Sequence, residues 1–142
     1  MHSDDLHDDC FALRQAARHI SKLYERYLSE AGITPTQFSI LRTLSRCPGL
    51  TMAELSKAMV VDRTTLVRTL KPLLRRGLVA TVAEGHGTRL HVRLTAAGHA
   101  KLDEAAAHWA AAQARFEQCF GRHQAATLRD ELFRMTTGVP ST

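Results

Sequence analysis

The spacing of apolar residues predicts two helices in the first third of the chain. Between residues 8 and 30 the apolar positions recur mainly at intervals of three and four, which is the period of an amphipathic helix. An Ala-Gly pair follows, and glycine at this place is typical of a helix exit. Thr34 then stands as an N-cap, with Pro35 at the first helical position and Gln37 at the capping-box position of a second helix.

A helix-turn-helix is predicted in the middle of the chain. Thr51 and Glu54 have the S/T-x-x-E spacing of a capping box, so a short helix is expected to start there. Asp62 is expected to cap a further helix that runs to about Arg76, and Gly77 to provide its left-handed exit. The two helices are separated by about four residues, which is the arrangement of a helix-turn-helix.

The hydrophobic period changes to two after this pair of helices. Leu90, Val92 and Leu94 alternate with polar residues, and an apolar stretch at 78–82 precedes them across a glycine-containing turn. These two segments predict a two-stranded β-hairpin. Because the hairpin directly follows the second helix of the helix-turn-helix, the pattern predicts a winged helix.

The C-terminal third is predicted to be helical again, beginning at the N-cap Thr95. The apolar residues of this long helix fall three or four apart along one face: Leu102, Ala105, Trp109, Ala112, Phe116 and Cys119. The motif GRHQ ends it, and a last helix carries Leu128, Leu132 and Met135. The predicted fold class is therefore mainly α with a small β-hairpin, a winged helix-turn-helix with six helices.

The second helix of the predicted helix-turn-helix has two chemically different faces. One face points to the core and carries Leu66, Leu70, Leu73 and Leu74. The opposite face carries Thr64, Arg68, Lys71 and Arg75. Arginine can give two parallel hydrogen bonds to guanine or to a phosphate, and threonine offers a hydroxyl and a methyl to base edges. These side-chain types suit a helix that lies in the major groove of DNA.

The surroundings of this basic face decide between two interpretations. A basic stripe standing alone is more often a solvated cationic surface of a core helix. Here the second strand of the hairpin adds Arg89, His91 and Arg93, and the first turn of the helix, residues 63–65, carries backbone N–H groups that favour a phosphate. The combination predicts contact with DNA.

Pro72 interrupts the backbone hydrogen bonding of the same helix, because proline has no N–H to donate. A bend at this position would separate the turns that read bases from the leucine-rich end. The alternative is a harmless kink at a solvent-facing position.

Composition indicates a basic protein with a single domain spanning residues 1–142. A chain of this length can bury one core, its formal net charge is +5, and its pI is about 9.6. Such a balance is compatible with a polyanionic partner. No apolar run approaches the roughly 18 residues of a membrane span, and the N-terminus is acidic, unlike a secretory signal. We therefore expect a cytoplasmic protein that does not bind membranes.

Reactive residue types do not assemble into a catalytic or metal-binding motif. The three cysteines have no CxxC spacing, and the eight histidines show no HExxH or comparable spacing. The sequence also contains no glycine-rich phosphate loop and no nucleophile motif. We expect no enzymatic activity, no metal and no cofactor.

Three segments together resemble a known family in order and spacing: LYERYLSEAGITPTQFSILRTL, TMAELSKAMVVDRTTLVRTLKPLLRRGLV and VRLTAAG. They resemble the MarR family of bacterial transcriptional regulators over nearly the whole chain. The resemblance implies a homodimer whose terminal helices, in 1–32 and 97–142, interlock, with a winged helix-turn-helix at 33–96. It also implies a palindromic operator in double-stranded DNA. Repression would be relieved by a small phenolic or lipophilic effector or by thiol oxidation.

The same resemblance assigns DNA-binding roles to individual residues. The positions that match the family's groove-reading residues are Arg63, Thr64, Thr65, Arg68 and Thr69. Lys71, Arg75 and Arg76 lie beyond them and suit phosphate contact or exposure to solvent. The family's D-x-R motif in the wing is absent, since His86 and Thr88 occupy its positions. Arg89, one place later, is the candidate minor-groove arginine, and the alternative is an outward solvated side chain.

Cys10 resembles the reactive cysteine of the peroxide-sensing branch of the family. In that branch a phenylalanine follows the cysteine, as Phe11 does here, and two tyrosines hold its thiolate. Tyr24 matches one tyrosine, whereas Arg14 stands in place of the other. Cys119 is the candidate to resolve an oxidised Cys10. The alternative is that the cysteines are buried and act as small apolar residues.

An effector pocket is expected, from the family's architecture, between the first, second and fifth helices near Phe11, Arg14, Phe38 and Leu41. Trp109 is assigned to the dimer core, because it falls on the apolar stripe of its helix.

The leading functional hypothesis is a homodimeric DNA-binding repressor. Its DNA affinity would fall when an effector changes the separation of the two recognition helices. One alternative is a thiol-based peroxide-sensing regulator that uses Cys10. An alternative of another class is a winged-helix module that binds an acidic protein through the same basic face.

Overall fold

The computed structural model describes residues 8–83 and 89–142. Within these ranges the chain forms six α-helices, one short 3-10 helix and three strands. The first half contains α1 (Asp9–Leu28), a 3-10 turn (Ser29–Ala31), α2 (Pro35–Arg46), β1 (Leu50–Thr51), α3 (Met52–Met59) and α4 (Arg63–Arg75). The second half contains β2 (Val79–Ala83), β3 (Leu90–Leu94), α5 (Ala96–Phe120) and α6 (Arg122–Gly138). The predicted fold class, mainly α with a winged helix-turn-helix, is confirmed.

Local capping explains where the helices of this fold begin. The Thr34 hydroxyl accepts a hydrogen bond from the Gln37 backbone N–H at 3.1 Å, and the Gln37 side chain accepts one from the Thr34 N–H at 3.0 Å. Thr51 and Glu54 repeat the same reciprocal pair at the start of α3. Each pair satisfies backbone donors that a helix start leaves unpaired. Both predicted capping boxes are confirmed.

The hairpin of β2 and β3 forms the wing. It belongs to a three-stranded antiparallel sheet in the order β1, β3, β2. Val92 at the centre of β3 faces Thr81 of β2 and Leu50 of β1. The sequence predicted only the hairpin, because β1 has two residues and is too short to show an alternating pattern. The tip of the hairpin, with the predicted glycine turn, His86 and Thr88, lies outside the described residues.

The core forms where α2, α3 and α4 pack against the sheet and against α5. Its members include five residues from five elements: Leu41, Leu55, Leu70, Val92 and Ala105. Burying a leucine or valine side chain contributes about 1.5–3 kcal/mol. This shared core therefore fixes the position of α4 relative to the β2–β3 hairpin and to α5.

Leu74 was predicted to face the core, and this prediction is wrong. Leu66, Leu70 and Leu73 are buried, whereas Leu74 is 38% exposed. At about 100° per residue, Leu74 lies about 80° from Leu66, at the edge of the arc that the other leucines define. The buried face of α4 is narrower than the hydrophobic pattern indicated.

Pro72 lies inside α4, and the helix continues through it to Arg75. The Arg76 N–H bonds to the Pro72 carbonyl at 3.1 Å, so helical hydrogen bonding resumes directly after the proline. Gly77, with φ of 70°, then ends the helix in the predicted left-handed conformation.

The long helix α5 packs against α1, α2 and α6. Leu128, Leu132 and Met135 of α6 remain exposed in the single chain, as does Phe133. Among the described helices none is both long and apolar enough to cross a membrane.

Candidate functional site

The basic face of α4 is open to solvent in the structure. Its exposed members are Arg63, Thr64, Arg68, Lys71 and Arg75. The buried leucines on the opposite side hold the helix against the core, so these side chains project outward from a fixed support. The structure thus exposes five of the predicted DNA-binding residues on α4, four of them on this face and Arg63 at the start of the helix.

Two threonines of the predicted site have their polar groups engaged within the helix. The Thr69 hydroxyl is half-buried and donates to the Thr65 carbonyl at 2.8 Å. The Thr65 N–H donates to the Asp62 carboxylate at 2.7 Å. The expectation of backbone N–H groups available to a phosphate in the first turn is therefore wrong at Thr65.

Asp62, the N-cap residue, places a negative charge at the start of α4. The hydrogen bond from the Thr65 backbone holds the pKa of Asp62 below its ordinary value, and the charge of Arg68 acts in the same direction. An ionised carboxylate at this end also interacts favourably with the helix dipole. The first turn of α4 is thus stabilised without a bound phosphate.

Arg63 and Arg89 line the same open cleft, although they are far apart in the sequence. The cleft has a volume of about 430 Å³ and lies between the starts of α3 and α4 and the base of β3, with Thr51 and Leu90 among its lining residues. The cleft therefore brings one cation of α4 and one cation of the wing to the same surface.

Glu54 lines this cleft as well, and sequence reasoning assigned it only to a cap. Hydrogen bonding to Thr51 lowers the pKa of Glu54, followed by the attraction of His91 and Arg89. An ionised carboxylate is thus present beside Arg89. Its capping-box position was visible in the sequence, but its proximity to the wing was not.

His91 was predicted to extend the basic flank, and the structure assigns it a different contact. Its Nδ1 atom lies 2.8 Å from the Gly49 carbonyl, next to β1. The side chain is half-buried in this position, whereas Arg93 two residues later is exposed. His91 therefore contributes to the contact between the wing and the turn before β1.

A second cleft, of about 300 Å³, lies between α2 and α5. Phe38 and Trp109 stack inside it, with 5.7 Å between ring centroids and 17° between planes. The Arg42 guanidinium carbon lies 4.4 Å from the Trp109 centroid, and Arg46 also lines the cleft. Burial lowers the pKa of Arg42, and the like charge of Arg46 adds to the effect. Aromatic and cationic groups thus meet in one open cavity.

Of the residues predicted near an effector pocket, Phe38 lines the α2–α5 cleft and the others do not. Phe11 and Arg14 are exposed near the start of α1 and do not line the α2–α5 cleft, and Leu41 is fully buried in the core. The prediction placed α1 at the cavity on family architecture alone. Arg42 and Trp109 were missed as cleft residues, although the spacing of Arg42 and Arg46 put both on one side of α2.

All three cysteines are exposed in the single chain, in contrast to the alternative of buried, apolar cysteines. Cys10 lies in the first turn of α1, and Tyr24 is fourteen residues further, about 21 Å along the helix axis. Tyr24 instead donates a hydrogen bond to the Gln113 side chain at 2.5 Å, and burial raises its pKa. Within one chain, Tyr24 does not contact Cys10.

Comparisons with known sequences agree with this arrangement. Residues 31–90 match the family model described as MarR family. The HTH-type transcriptional repressor Mb2911 of Mycobacterium bovis is 39% identical over 89 residues, which are 62% of this chain and 64% of that protein. The chain spans between 37% and 64% of the lengths of the curated relatives that it matches.

Solved structures extend the similarity to nearly the whole chain. The regulator MosR of Mycobacterium tuberculosis, in complex with DNA, is 34% identical with a TM-score of 0.82, and the match covers 92% of this chain and 94% of that one. CouR from Rhodococcus jostii RHA1, bound to p-coumaroyl-CoA, shares the fold at 20% identity and a TM-score of 0.80, covering 95% and 96%. Because the family model matches the helix-turn-helix and MosR aligns over nearly its full length, this chain belongs to the MarR family.

Proposed function

We propose that this protein is a homodimeric transcriptional repressor that binds a palindromic operator in double-stranded DNA. The observation that carries the proposal is the exposed cationic surface of α4, which includes Arg63, together with Arg89 at the wing. MosR, a relative of the same architecture, has been solved with DNA. Such a repressor acts in the cytoplasm and needs no catalytic activity.

The residues of this surface divide into three roles. Arg63, Thr64 and Arg68 lie in the turns nearest the start of α4 and are proposed to contact base edges in the major groove. Lys71 and Arg75 are proposed to contact phosphates. Arg89 is proposed to enter the minor groove from the wing, with its exposure immediately before β3 in support.

Thr65 and Thr69 are proposed to offer fewer polar groups to DNA than the residues above. The Thr69 hydroxyl donates within the helix, and the Thr65 N–H is bound by Asp62. Their methyl groups remain suited to contact with thymine.

The dimer is proposed to form through the terminal helices, in residues 1–32 and 97–142, leaving residues 33–96 as the DNA-binding part. Leucine and methionine side chains along α6 stay exposed in the single chain. Apolar surface of this kind is usually covered in a stable protein. A two-fold dimer also presents two recognition helices to half-sites about one helical turn apart.

The effector is proposed to occupy the cleft between α2 and α5. Among the residues described as lining it, none is acidic, while Arg42 and Arg46 supply positive charge and Trp109 an aromatic wall. This chemistry suits a planar aromatic anion. CouR, which shares the fold, has been solved with an aromatic acyl-CoA.

The two other functions considered have less support. A peroxide sensor that uses Cys10, Phe11, Arg14 and Cys119 would need a group that holds the thiolate, and Tyr24 bonds to Gln113 instead. A module that binds an acidic protein explains the cationic face, but not the similarity to a DNA-bound regulator.

Selection of genomic DNA fragments by the purified protein tests the proposal and identifies the operator. On that operator, Arg68→Ala is expected to cost about 1–3 kcal/mol of binding free energy if Arg68 pairs with a base. Arg134→Ala is the matched control, because Arg134 lies on α6 and pairs with Glu131. Equal affinity of the wild-type protein for all fragments would contradict a sequence-specific repressor.

A further inference from the structure

Two cations from distant parts of the chain bind the corner between α1 and α2. Arg76, at the end of α4, donates from Nη1 to the Gly32 carbonyl at 2.9 Å. Lys101, in the second turn of α5, donates from Nζ to the adjacent Ala31 carbonyl at 3.0 Å. The corner therefore connects the end of the recognition helix to the start of the long helix.

A third contact joins α4 directly to α5. The Thr95 hydroxyl, at the N-cap of α5, donates to the Gly77 carbonyl at 2.6 Å, immediately after α4. Gly98 allows the close approach, because a Cβ atom there would lie 2.0 Å from the Leu78 carbonyl oxygen. The three contacts form a closed triangle between the end of α4, the start of α5 and the α1–α2 corner, which we call the α4 joint.

Arg76 and its neighbour Arg75 differ in their hydrogen bonding. Both are exposed cations at the end of α4, and their side-chain chemistry alone does not distinguish them. The Arg76 guanidinium is committed to a carbonyl of another element, whereas the described contacts give Arg75 no such hydrogen bond. A hydrogen bond from a charged donor is roughly twice as strong as a neutral one. Arg76 is thus placed to fix the position of α4 rather than to contact a DNA phosphate.

We propose that Arg76 is a positioning residue that fixes the orientation of α4 relative to α1 and α5 through the α4 joint. This inference rests on the proposed function, because the orientation of α4 matters for affinity only when two recognition helices must fit two half-sites together. Arg76 acts on DNA binding without contacting DNA.

Loss of a positioning contact and loss of a phosphate contact change DNA binding in different ways. When the joint opens, a smaller fraction of the protein has the competent orientation, and the apparent Kd rises in inverse proportion to that fraction. The bound complex keeps the same phosphate contacts, so the slope of log K against log salt is unchanged. Loss of a phosphate contact lowers the magnitude of that slope by about 0.9.

The test is a salt titration of operator binding by the full-length protein carrying Arg76→Gln, with Arg75→Gln as the matched control. We expect Arg76→Gln to raise Kd about tenfold with the wild-type slope. For Arg75→Gln we expect the slope to decrease by about 0.9, as for a lost phosphate contact. Circular dichroism and thermal unfolding verify that each variant is folded.

A decrease of the slope by Arg76→Gln equal to that of Arg75→Gln would overturn the positioning role, as would an unchanged Kd. Lys101→Gln tests the second contact of the α4 joint with the α1–α2 corner. We expect this variant to bind the operator more weakly and to keep the wild-type slope of log K against log salt. An unchanged Kd for a folded Lys101→Gln protein would also refute the joint. Failure of the wild-type protein to prefer any DNA would instead refute the proposed function, and the positioning role with it.

Discussion

At the scale of single residues, the start of α4 depends on one carboxylate. Asp62 accepts the Thr65 N–H and lies at the positive end of the helix dipole. Its folded-state pKa is lowered, so the carboxylate stabilises the fold above its unfolded-state pKa of about 3.9 and loses that effect as pH falls through the lower folded value. The contribution should therefore be complete at neutral pH and absent in strong acid.

Replacing this cap gives a pH-dependent prediction. Asp62→Ala should lower the thermal unfolding midpoint at pH 7, because the helix start loses its acceptor and its charge. The difference from wild type should shrink at pH 3, which lies below the unfolded-state pKa of about 3.9, so that the stability gained from ionisation is already being lost there. Calorimetry at both pH values measures it, with Asp62→Asn as the control that keeps an acceptor. An equal difference at both pH values would mean that the charge plays no part.

Single residues also show where similar side chains differ in use. Thr64 is exposed, whereas the Thr69 hydroxyl donates a hydrogen bond to a backbone carbonyl. A sequence pattern treats both as equivalent members of a basic, hydroxyl-rich helix. Burial and local hydrogen bonding separate them.

At the scale of elements, the packing of α5 against the end of α4 requires a residue without a side chain at position 98. A Cβ atom there would meet both the Leu78 carbonyl and the Leu94 side chain, at 2.0 Å and 2.6 Å. Gly98 is fully helical and has no unusual φ, so space rather than backbone conformation demands glycine.

Alanine at this glycine should be costly. Gly98→Ala is expected to lower the free energy of unfolding by about 1–3 kcal/mol, because α5 must shift away from the end of α4. Gly138→Ala, also in a helix but with open space around its Cβ position, is the control and should be neutral or slightly stabilising. Chemical denaturation measures both. Equal stability of the two variants would show that α5 relaxes without cost.

The cleft between α2 and α5 supports a prediction about the proposed effector. Trp109 is the single tryptophan in the sequence, so its fluorescence reports binding in the cleft directly. Aromatic carboxylates should quench it in a saturable way, and Arg42→Met should weaken their binding about tenfold by removing a charge-assisted contact. The uncharged amides of the same compounds are the matched probes. Equal binding of acids and amides would exclude recognition of an anion by Arg42.

At the scale of the whole molecule, the exposed apolar residues of α6 indicate a partner chain. Leu128, Leu132 and Met135 follow helical spacing and remain open in the single chain. Covering them in a second copy would also set the distance between the two cationic surfaces. DNA affinity is then a property of the dimer rather than of one α4 helix.

A charge placed on this surface should separate the two copies. Leu132→Glu is expected to give a monomer by sedimentation analysis and to weaken operator binding, because one chain reaches only one half-site. Thr127→Glu, about 140° around the same helix, is the control and should remain dimeric. A dimeric Leu132→Glu protein would place the interface elsewhere.

Much of the fold was predictable because its signals are local. Helix starts depend on caps such as Thr34 and Asp62, which act within three residues of themselves. The alternation of apolar and polar residues predicted the hairpin. The helical spacing of the leucines predicted the buried face of α4, apart from Leu74 at the edge of the buried arc. The short strand β1 was missed because two residues cannot display a period.

The order of elements, the caps and the residue types on the basic face of α4 can be read from the amino-acid sequence, since each depends on neighbours along the chain. Which of those side chains are free to bind a partner depends on contacts made in the folded molecule. The tertiary structure places His91 against Gly49, Arg76 against Gly32, and Arg63 beside Arg89. These contacts join residues far apart in sequence, and side-chain chemistry alone cannot distinguish a cation bound to a distant carbonyl from one that faces solvent.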